Sequence, residues 1–265
     1  MVSRAELTWS ANQYVVFEGE RTRPVRDLLA ALPPIEARSV IDLGCGPGNS
    51  TEVLAQRYPE AQVAGIDSSP DMIAAARRRL PRVDFAVSDV QHVRGWNSPG
   101  PFDVILANAV LQWVPHHETL LPQLIGKLAP RGGLAVQMPD NLDGHAHRLM
   151  RETAQRGPWA AKLADAAAAR TPLAGMDWYY ELLRPLCAKV DLWRTVYFHA
   201  LSGGAAAIVE WFKGSGLRPF IEPLSDAERS AYLEHYAAAI ADAYPALADG
   251  TVLLPFPRVF MVAIR

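Results

Sequence analysis

Cysteine is nearly missing: Cys45 and Cys187 are the only two in 265 residues, too few for a disulfide framework or a cysteine-based zinc site. Lysine is scarce as well, with four against 22 arginines. Neither sign of charge dominates, since 26 basic and 28 acidic side chains leave a formal charge of -2. No global positive field exists to hold a nucleic-acid backbone or an anionic membrane, so any bound anion must be gripped by local groups. Long apolar runs are lacking too. None approaches the ~20 residues that cross a bilayer, and the N-terminal stretch alternates charged with apolar residues instead of forming a signal-peptide core. The expectation is a soluble chain in a reducing cytoplasm, with a small molecule rather than nucleic acid or membrane as its partner.

What is present is alternation. From Ser39 to Met138 short β-branched runs alternate with amphipathic stretches, the pattern of βαβ units that build a parallel sheet. The spacing predicts strands at 39–43, 62–67, 83–89, 102–108 and 133–138, with helices at 49–57, 72–80 and about 117–128 between them. Ser69, Pro70 and Asp71 supply a helix start. The strands are nearly continuous in apolar residues, as expected when both sheet faces are covered. After Met138 the rhythm changes. Residues 140–186 and 202–250 read as helical insertions, and 190–201 and 252–264 as two closing strands. The whole is expected to be one domain, a Rossmann-like α/β fold with a mostly parallel seven-stranded sheet, helices on both faces and a helical cap over the carboxyl edge.

Chemistry concentrates between the first strand and the first helix, where Asp42, Gly44, Gly46 and Gly48 stand. A ligand lies beyond the carboxyl ends of the strands in such folds, and glycine removes the Cβ that would block its approach to the backbone. Asp67 ends the next strand, placed to accept both hydroxyls of a ribose. The dinucleotide fingerprint G-x-G-x-x-G fails here, because its third glycine falls on Asn49 from Gly44 and on Thr51 from Gly46. No G-x-x-x-x-G-K-[ST] occurs, which excludes a P-loop. The remaining pattern, D-x-G-x-G-x-G, suits a ligand with a cationic ammonium group, as S-adenosylmethionine has.

These residues resemble the class I S-adenosylmethionine-dependent methyltransferases. DLGCGPGNS (42–50), GIDSSPDMI (65–73), SDV (88–90) and ANAVLQWV (107–114) look like four of their motifs in order. The resemblance implies a cofactor set of Arg21, Gly44, Cys45, Gly46, Asn49, Asp67, Ser68, Met72, Asp89, Val90 and Asn108. In it the glycine loop lies by the methionine moiety, Asp67 takes the ribose, Met72 packs on adenine and Asp89 accepts from its amine. Arg21 meets the cofactor's carboxylate. S-adenosylhomocysteine is the implied product.

A closer resemblance spans nearly the whole chain. WSANQYVVFEGERTRP (9–24), ANAVLQWVP (107–115), VQMPDN (136–141), DLWRTVYFH (191–199), GLRPF (216–220) and FPRVF (256–260) together look like the bacterial trans-aconitate 2-methyltransferases, which convert a carboxylate of trans-aconitate to its methyl ester. The alanine-rich stretch at 160–169 lies outside it. Carboxylates ionise near pH 4, so such a reaction requires no general base, and no catalytic residue is expected beyond those that orient the reactants. Arginine forks suit the other two carboxylates. The substrate set is Tyr14, Arg23, Gln112, Trp113, Asn141, Tyr179, Arg194, His199, Arg218 and Arg258. No metal is expected: the spacing of Asp89, His92, His116 and His117 lacks that of the metal-assisted catechol enzymes. His145 and His147 point to different sides of a helix and read as surface or turn residues. Two alternatives stay open, a methyltransferase of another small carboxylic or hydroxylated metabolite and a regulatory S-adenosylmethionine-binding protein without turnover.

Overall fold

A computed structural model of the chain describes residues 18–93, 96, 100–166 and 170–265. Helix α1 (Glu18–Ala30) precedes β1 (Ser39–Leu43), α2 (Asn49–Arg57), β2 (Gln62–Asp67), α3 (Pro70–Arg79), β3 (Asp84–Val87) and β4 (Phe102–Asn108). A 3-10 turn (Leu111–Trp113), α4 (His117–Gly126) and β5 (Leu128–Pro139) follow. The remainder is α5 (His145–Arg156), α6 (Met176–Leu183), β6 (Lys189–Leu201), α7 (Gly204–Lys213), the short α8 (Arg218–Ile221), α9 (Asp226–Ala243) and β7 (Val252–Ile264).

The strands form one seven-stranded sheet in the order β3-β2-β1-β4-β5-β7-β6. The pairs among β1 to β5 are parallel, and β7 runs antiparallel to β5. The direction in which successive strands are added reverses between β1 and β4, so the loops after these two strands diverge from a shared crevice. Most of β1, β4 and the second half of β5 is buried, which explains their unbroken apolar reading. Helix α3 starts as its sequence demands: the Ser69 hydroxyl accepts from Met72 N–H, Pro70 fills the first turn, and Arg77, Arg78 and Arg79 occupy the last.

Three boundaries differ from the sequence reading. β3 is shorter than 83–89. Helix α3 begins at Pro70 because the Ser69 cap, rather than the first apolar residue, sets its start. β5 begins at Leu128, five positions before Gly133, because a register irregularity between Phe102 and Val104 lets the strand absorb the Ala-Pro-Arg-Gly run, with Arg131 at φ 65°.

Two compact units emerge. Among the described residues the sheet unit holds 18–139 together with Leu173–Thr195 and Arg258–Arg265. The helical unit holds Asp140–Pro172 and Val196–Pro257. Helix α6 thus belongs to the sheet unit, where Tyr179 and Leu183 join the aliphatic core. The helical unit is built around aromatic rings instead. Trp159 packs edge-on to Tyr232 at 5.5 Å, and His199 stacks on Trp211 at 4.4 Å. The Tyr232 and Tyr236 hydroxyls donate to the carbonyls of Met150 and Ala146, fastening α9 to α5.

Candidate active site

The glycine loop of the sheet unit turns sharply out of β1. Gly44 sits at φ +63°, and an added Cβ would lie 2.3 Å from Val110 Cγ2, so the turn after β4 is packed directly on the loop after β1. Gly46, at φ +54°, faces open space with nothing within 4 Å of an added Cβ. One glycine thus serves close packing, the other an open approach to the backbone.

Two acids hold this loop. Asp67 Oδ2 accepts from Gly46 N–H at 3.0 Å, and Oδ1 accepts from Ser69 N–H at 2.9 Å. Burial pushes its carboxyl up while these two bonds oppose the shift. Asp42 is fully buried, and its Oδ2 accepts from the Ser50 and Thr51 hydroxyls, each at 2.7 Å. Burial raises it to about 7 despite those bonds. Asp42 therefore fastens the start of α2 to β1, a role that the spacing of the motif did not separate from ligand binding.

Beyond β4 the backbone is again unusual. Ala109 takes φ 54°, a left-handed conformation that costs a non-glycine residue roughly 1 kcal/mol. It is held on both sides: its N–H donates to Gln137 O at 2.8 Å, and its carbonyl accepts from Gln112 Nε2 at 2.6 Å. Asn108 and Gln112 are both buried, and Asn108 Oδ1 and Gln112 Oε1 have no hydrogen-bond partner among the described residues. Asn49 Nδ2, at the start of α2, is a buried donor in the same situation. Buried polar atoms of this kind carry a desolvation cost unless a ligand meets them. Two acceptors and one donor around a glycine loop fit the ammonium and carboxylate of an amino-acid head, so the residues present fit S-adenosylmethionine.

The other expected cofactor residues are distributed around the same sheet. Arg21 is buried on α1, and Met72 and Val90 are buried. Ser68 is exposed. Cys45 is buried beside Ile73 and Phe85, with its thiol pushed far up by burial. Asp89 closes a local turn, its Oδ1 accepting from Gln91 N–H at 2.8 Å.

The substrate set divides more sharply. Tyr14 lies outside the described residues. Arg23 is exposed and lies 3.8 Å from Asp27 one helical turn on. Arg194 is exposed on β6 and Trp113 is partly exposed. Arg218 is buried, but Glu222 takes its Nε and Nη2 in a forked ion pair. His199 is buried among Trp211, Phe256 and Tyr197. Tyr179 meets His117 Nδ1 at 2.8 Å, and His117 Nε2 meets the Leu111 carbonyl at 2.9 Å. A carbonyl only accepts, so in the neutral ring Nε2 carries the proton and Tyr179 donates to Nδ1. Arg258 differs from the other arginines of the set: it is 4% exposed, and its Nη1 donates at 3.0 Å to the amide oxygen of Gln137, itself fully buried.

Sequence reasoning passed over Gln137 and Arg170 and weighed His117 only as a metal ligand. A glutamine inside the apolar run of β5 was the available signal for the first. His117 and Tyr179 are 62 positions apart, and nothing local joins them. His147, read as a surface or turn residue, is 4% exposed. The T-shaped packing of Phe212 on its ring at 4.9 Å accounts for that burial.

Residues 17–190 match the family model of a methyltransferase domain. Solved structures share the fold. The YcgJ protein from Bacillus subtilis aligns at a TM-score of 0.57 with 11% identity, over 92% of this chain and 98% of that one. Phosphoethanolamine N-methyltransferase 2 of Haemonchus contortus, in complex with S-adenosyl-L-methionine, aligns at 0.53 with 17% identity, over 91% of this chain and 52% of that one. The fold and the domain match thus define a class I methyltransferase. Much closer in sequence is the trans-aconitate 2-methyltransferase of Rhodopseudomonas palustris strain BisB18, 55% identical over 97% of this chain and 99% of its own length. That of Azoarcus sp. strain BH72 is 52% identical over 97% and 99%. The chain belongs to the trans-aconitate 2-methyltransferase family.

Proposed function

We propose that the protein converts a carboxylate of trans-aconitate to its methyl ester, with the expected cofactor set and, from the substrate set, Gln112, Tyr179 and Arg258 of the sheet unit as its binding residues. Family membership supports the substrate, and Arg258 is the observation that carries the chemistry. Gln137 orients one nitrogen of this buried guanidinium, and a guanidinium fork is suited to grip a carboxylate in two places. S-adenosylmethionine, when bound, supplies an electrophilic methyl group. The chain's own residues do the rest. Asp67 holds Gly46 and Ser69 in place, Ala109 and Gln112 fix the turn after β4, and Arg258 aims the acid. Orientation of this kind is worth up to ~7–11 kcal/mol, and the nucleophile is ionised at neutral pH without help. Among the described residues no group of three His, Cys, Asp or Glu side chains has the arrangement of a metal site.

No helix among the described residues is long and apolar enough to cross a membrane. Both cysteines are unpaired, which suits the cytoplasm inferred from composition. Incubation with S-adenosylmethionine and a panel of di- and tricarboxylates tests the reading. A mass gain of one methylene is expected with trans-aconitate, and turnover of another acid in its place overturns it.

A further inference from the structure

The turn after β4 is strained at both ends. Ala109 and His116, neither of them glycine, take φ 54° and 61°, a left-handed backbone that side chains rarely adopt and that lasts only where neighbours over-determine it. Between them lies the 3-10 turn of Leu111, Gln112 and Trp113. Gln137 O and Gln112 Nε2 fix the Ala109 end. The other end is fixed by His117, the first residue of α4. His116 beside it is exposed and turns to Glu118 at 3.1 Å, two positions on. His117 reaches across the fold instead. Its Nε2–H donates at 2.9 Å to Leu111 O, which also accepts from Val114 N–H, and its Nδ1 accepts at 2.8 Å from the Tyr179 hydroxyl on α6. Leu111 and Tyr179 are both buried, so the ring is clamped between two fixed groups. One side chain therefore ties the turn that carries Gln112 to the helix that carries Tyr179. All of these residues belong to the sheet unit, in which α4 packs on α6.

Gln112 and Tyr179 are two of the residues that the methyl-ester reading uses to bind the acid, and the inference rests on that reading. We propose that His117 is a positioning residue of the transfer: it holds Gln112 and Tyr179 at a fixed separation, so that the acid they bind meets the methyl group in line. The nucleophilic oxygen, the methyl carbon and the sulfur must lie on one axis, and a misplacement of about 1 Å is enough to cost about a hundredfold in rate. Such an error weakens aim more than grip. It therefore lowers kcat while KM changes little, which separates it from the loss of a binding group. The two ring nitrogens have different parts, Nε2 setting the turn and Nδ1 setting α6, so they can be removed one at a time.

Four variants of the full chain test it, with S-adenosylmethionine and whichever acid of the panel above the wild type methylates. His117→Leu removes both bonds. His117→Gln keeps a donor near the place of Nε2, His117→Asn keeps an acceptor near that of Nδ1, and Tyr179→Phe removes the proton that Nδ1 accepts. His117→Leu should lower kcat by about tenfold or more, with KM for the acid and the dissociation constant of S-adenosylmethionine within about threefold of wild type. His117→Gln and His117→Asn should each recover part of the loss. In a double-mutant cycle, adding Tyr179→Phe to His117→Leu should lower kcat by no more than about a further threefold, because the bond between the two is already gone. Wild-type kcat in His117→Leu overturns the proposal, as does a kcat in both polar variants no better than that of His117→Leu, or losses that multiply in the cycle. If circular dichroism shows that His117→Leu does not fold, the polar variants decide: a kcat about fivefold or more below wild type at unchanged KM supports the assignment, and wild-type kcat in both overturns it. A wild type that methylates another acid in place of trans-aconitate overturns the methyl-ester reading alone, since the variants are compared on that acid. Equal kcat for trans-aconitate in wild type and His117→Leu overturns this inference alone, and a wild type that methylates no acid overturns both.

Discussion

The sheet unit and the helical unit solve their structural problems with different material. The sheet unit works through backbone: glycines at positive φ, amides that donate to Asp67, and a strained Ala109 pinned by Gln137 and Gln112. The helical unit works through large side chains, with tyrosine hydroxyls on helix carbonyls and rings packed against rings. Each nevertheless contains an arginine seated on an amide oxygen, Arg258 on Gln137 in one and Arg170 on Asn141 in the other. Arg218, by contrast, is seated on the Glu222 carboxylate. Counting arginines therefore says little about anion binding. What each one is seated on decides it.

The largest effect should come from breaking that seat in the sheet unit. Arg258→Met keeps the length of the side chain and deletes the fork, which for a desolvated carboxylate costs of order 2–5 kcal/mol. In steady-state kinetics kcat/KM for trans-aconitate should fall by about 30-fold to several thousand-fold. Affinity for S-adenosylmethionine, measured by calorimetry, should stay within about threefold. Wild-type kcat/KM would show that Arg258 is a purely structural arginine.

The same contrast explains what could be read in advance. Strands β1, β2, β4 and β7 and helix α2 coincide with the positions read from periodicity; β1 and β4, buried almost throughout, left continuous apolar runs bounded by breakers. The glycine loop was legible for a related reason, since left-handed backbone restricts the residue type locally. Side-chain seats leave no local trace. Gln137 meets Arg258 across 121 positions, and Asn141 meets Arg170 across 29. Arginines could thus be named as a class, but not sorted into the exposed Arg23 and Arg194, the self-paired Arg218 and the amide-seated Arg258. His147 was misjudged because the helical period places it opposite His145 without saying which of the two faces inward; Phe212 and Gly216, far along the chain, decide that.

A smaller effect should follow from loosening the glycine loop itself. Asp67→Ala leaves the amides of Gly46 and Ser69 without their acceptor, a cost of roughly 1–3 kcal/mol. The dissociation constant for S-adenosylmethionine should rise by about 5- to 150-fold in calorimetry. If Asp67 also meets the cofactor, Asp67→Asn, which keeps one acceptor oxygen, should recover only part of that loss. Thermal unfolding of the helical unit should be unaffected, and a common loss in both units would mean that Asp67 supports the whole fold.

The smallest effect is the most direct comparison of the two units, because each contains a buried group that resists its charged form, Asp42 in one and His147 in the other, and the two have opposite sign. Asp42 in the sheet unit is raised from 3.8 to about 7 by burial. The folded state therefore holds a proton that the unfolded chain has released, and the stability this gives is lost as pH rises from about 4 to about 7. His147 in the helical unit is lowered from 6.5 to about 3 by burial and by the charges of Arg170 and Arg151. Its unfolded form takes up a proton that the folded form refuses, so its stability is complete above about 6.5 and lost as pH falls toward about 3. One proton is worth about 1.4 kcal/mol per pH unit, or tenfold. Between pH 6.5 and 5.5, hydrogen exchange corrected for its intrinsic pH dependence should show the amides of α5 losing protection by up to about tenfold while those of α2 gain. His147→Gln should flatten the first response and Asp42→Asn the second. Parallel changes in both helices at every pH would show instead that the two units open as one cooperative body, in which case the opposed groups offset each other and neither slope is visible alone.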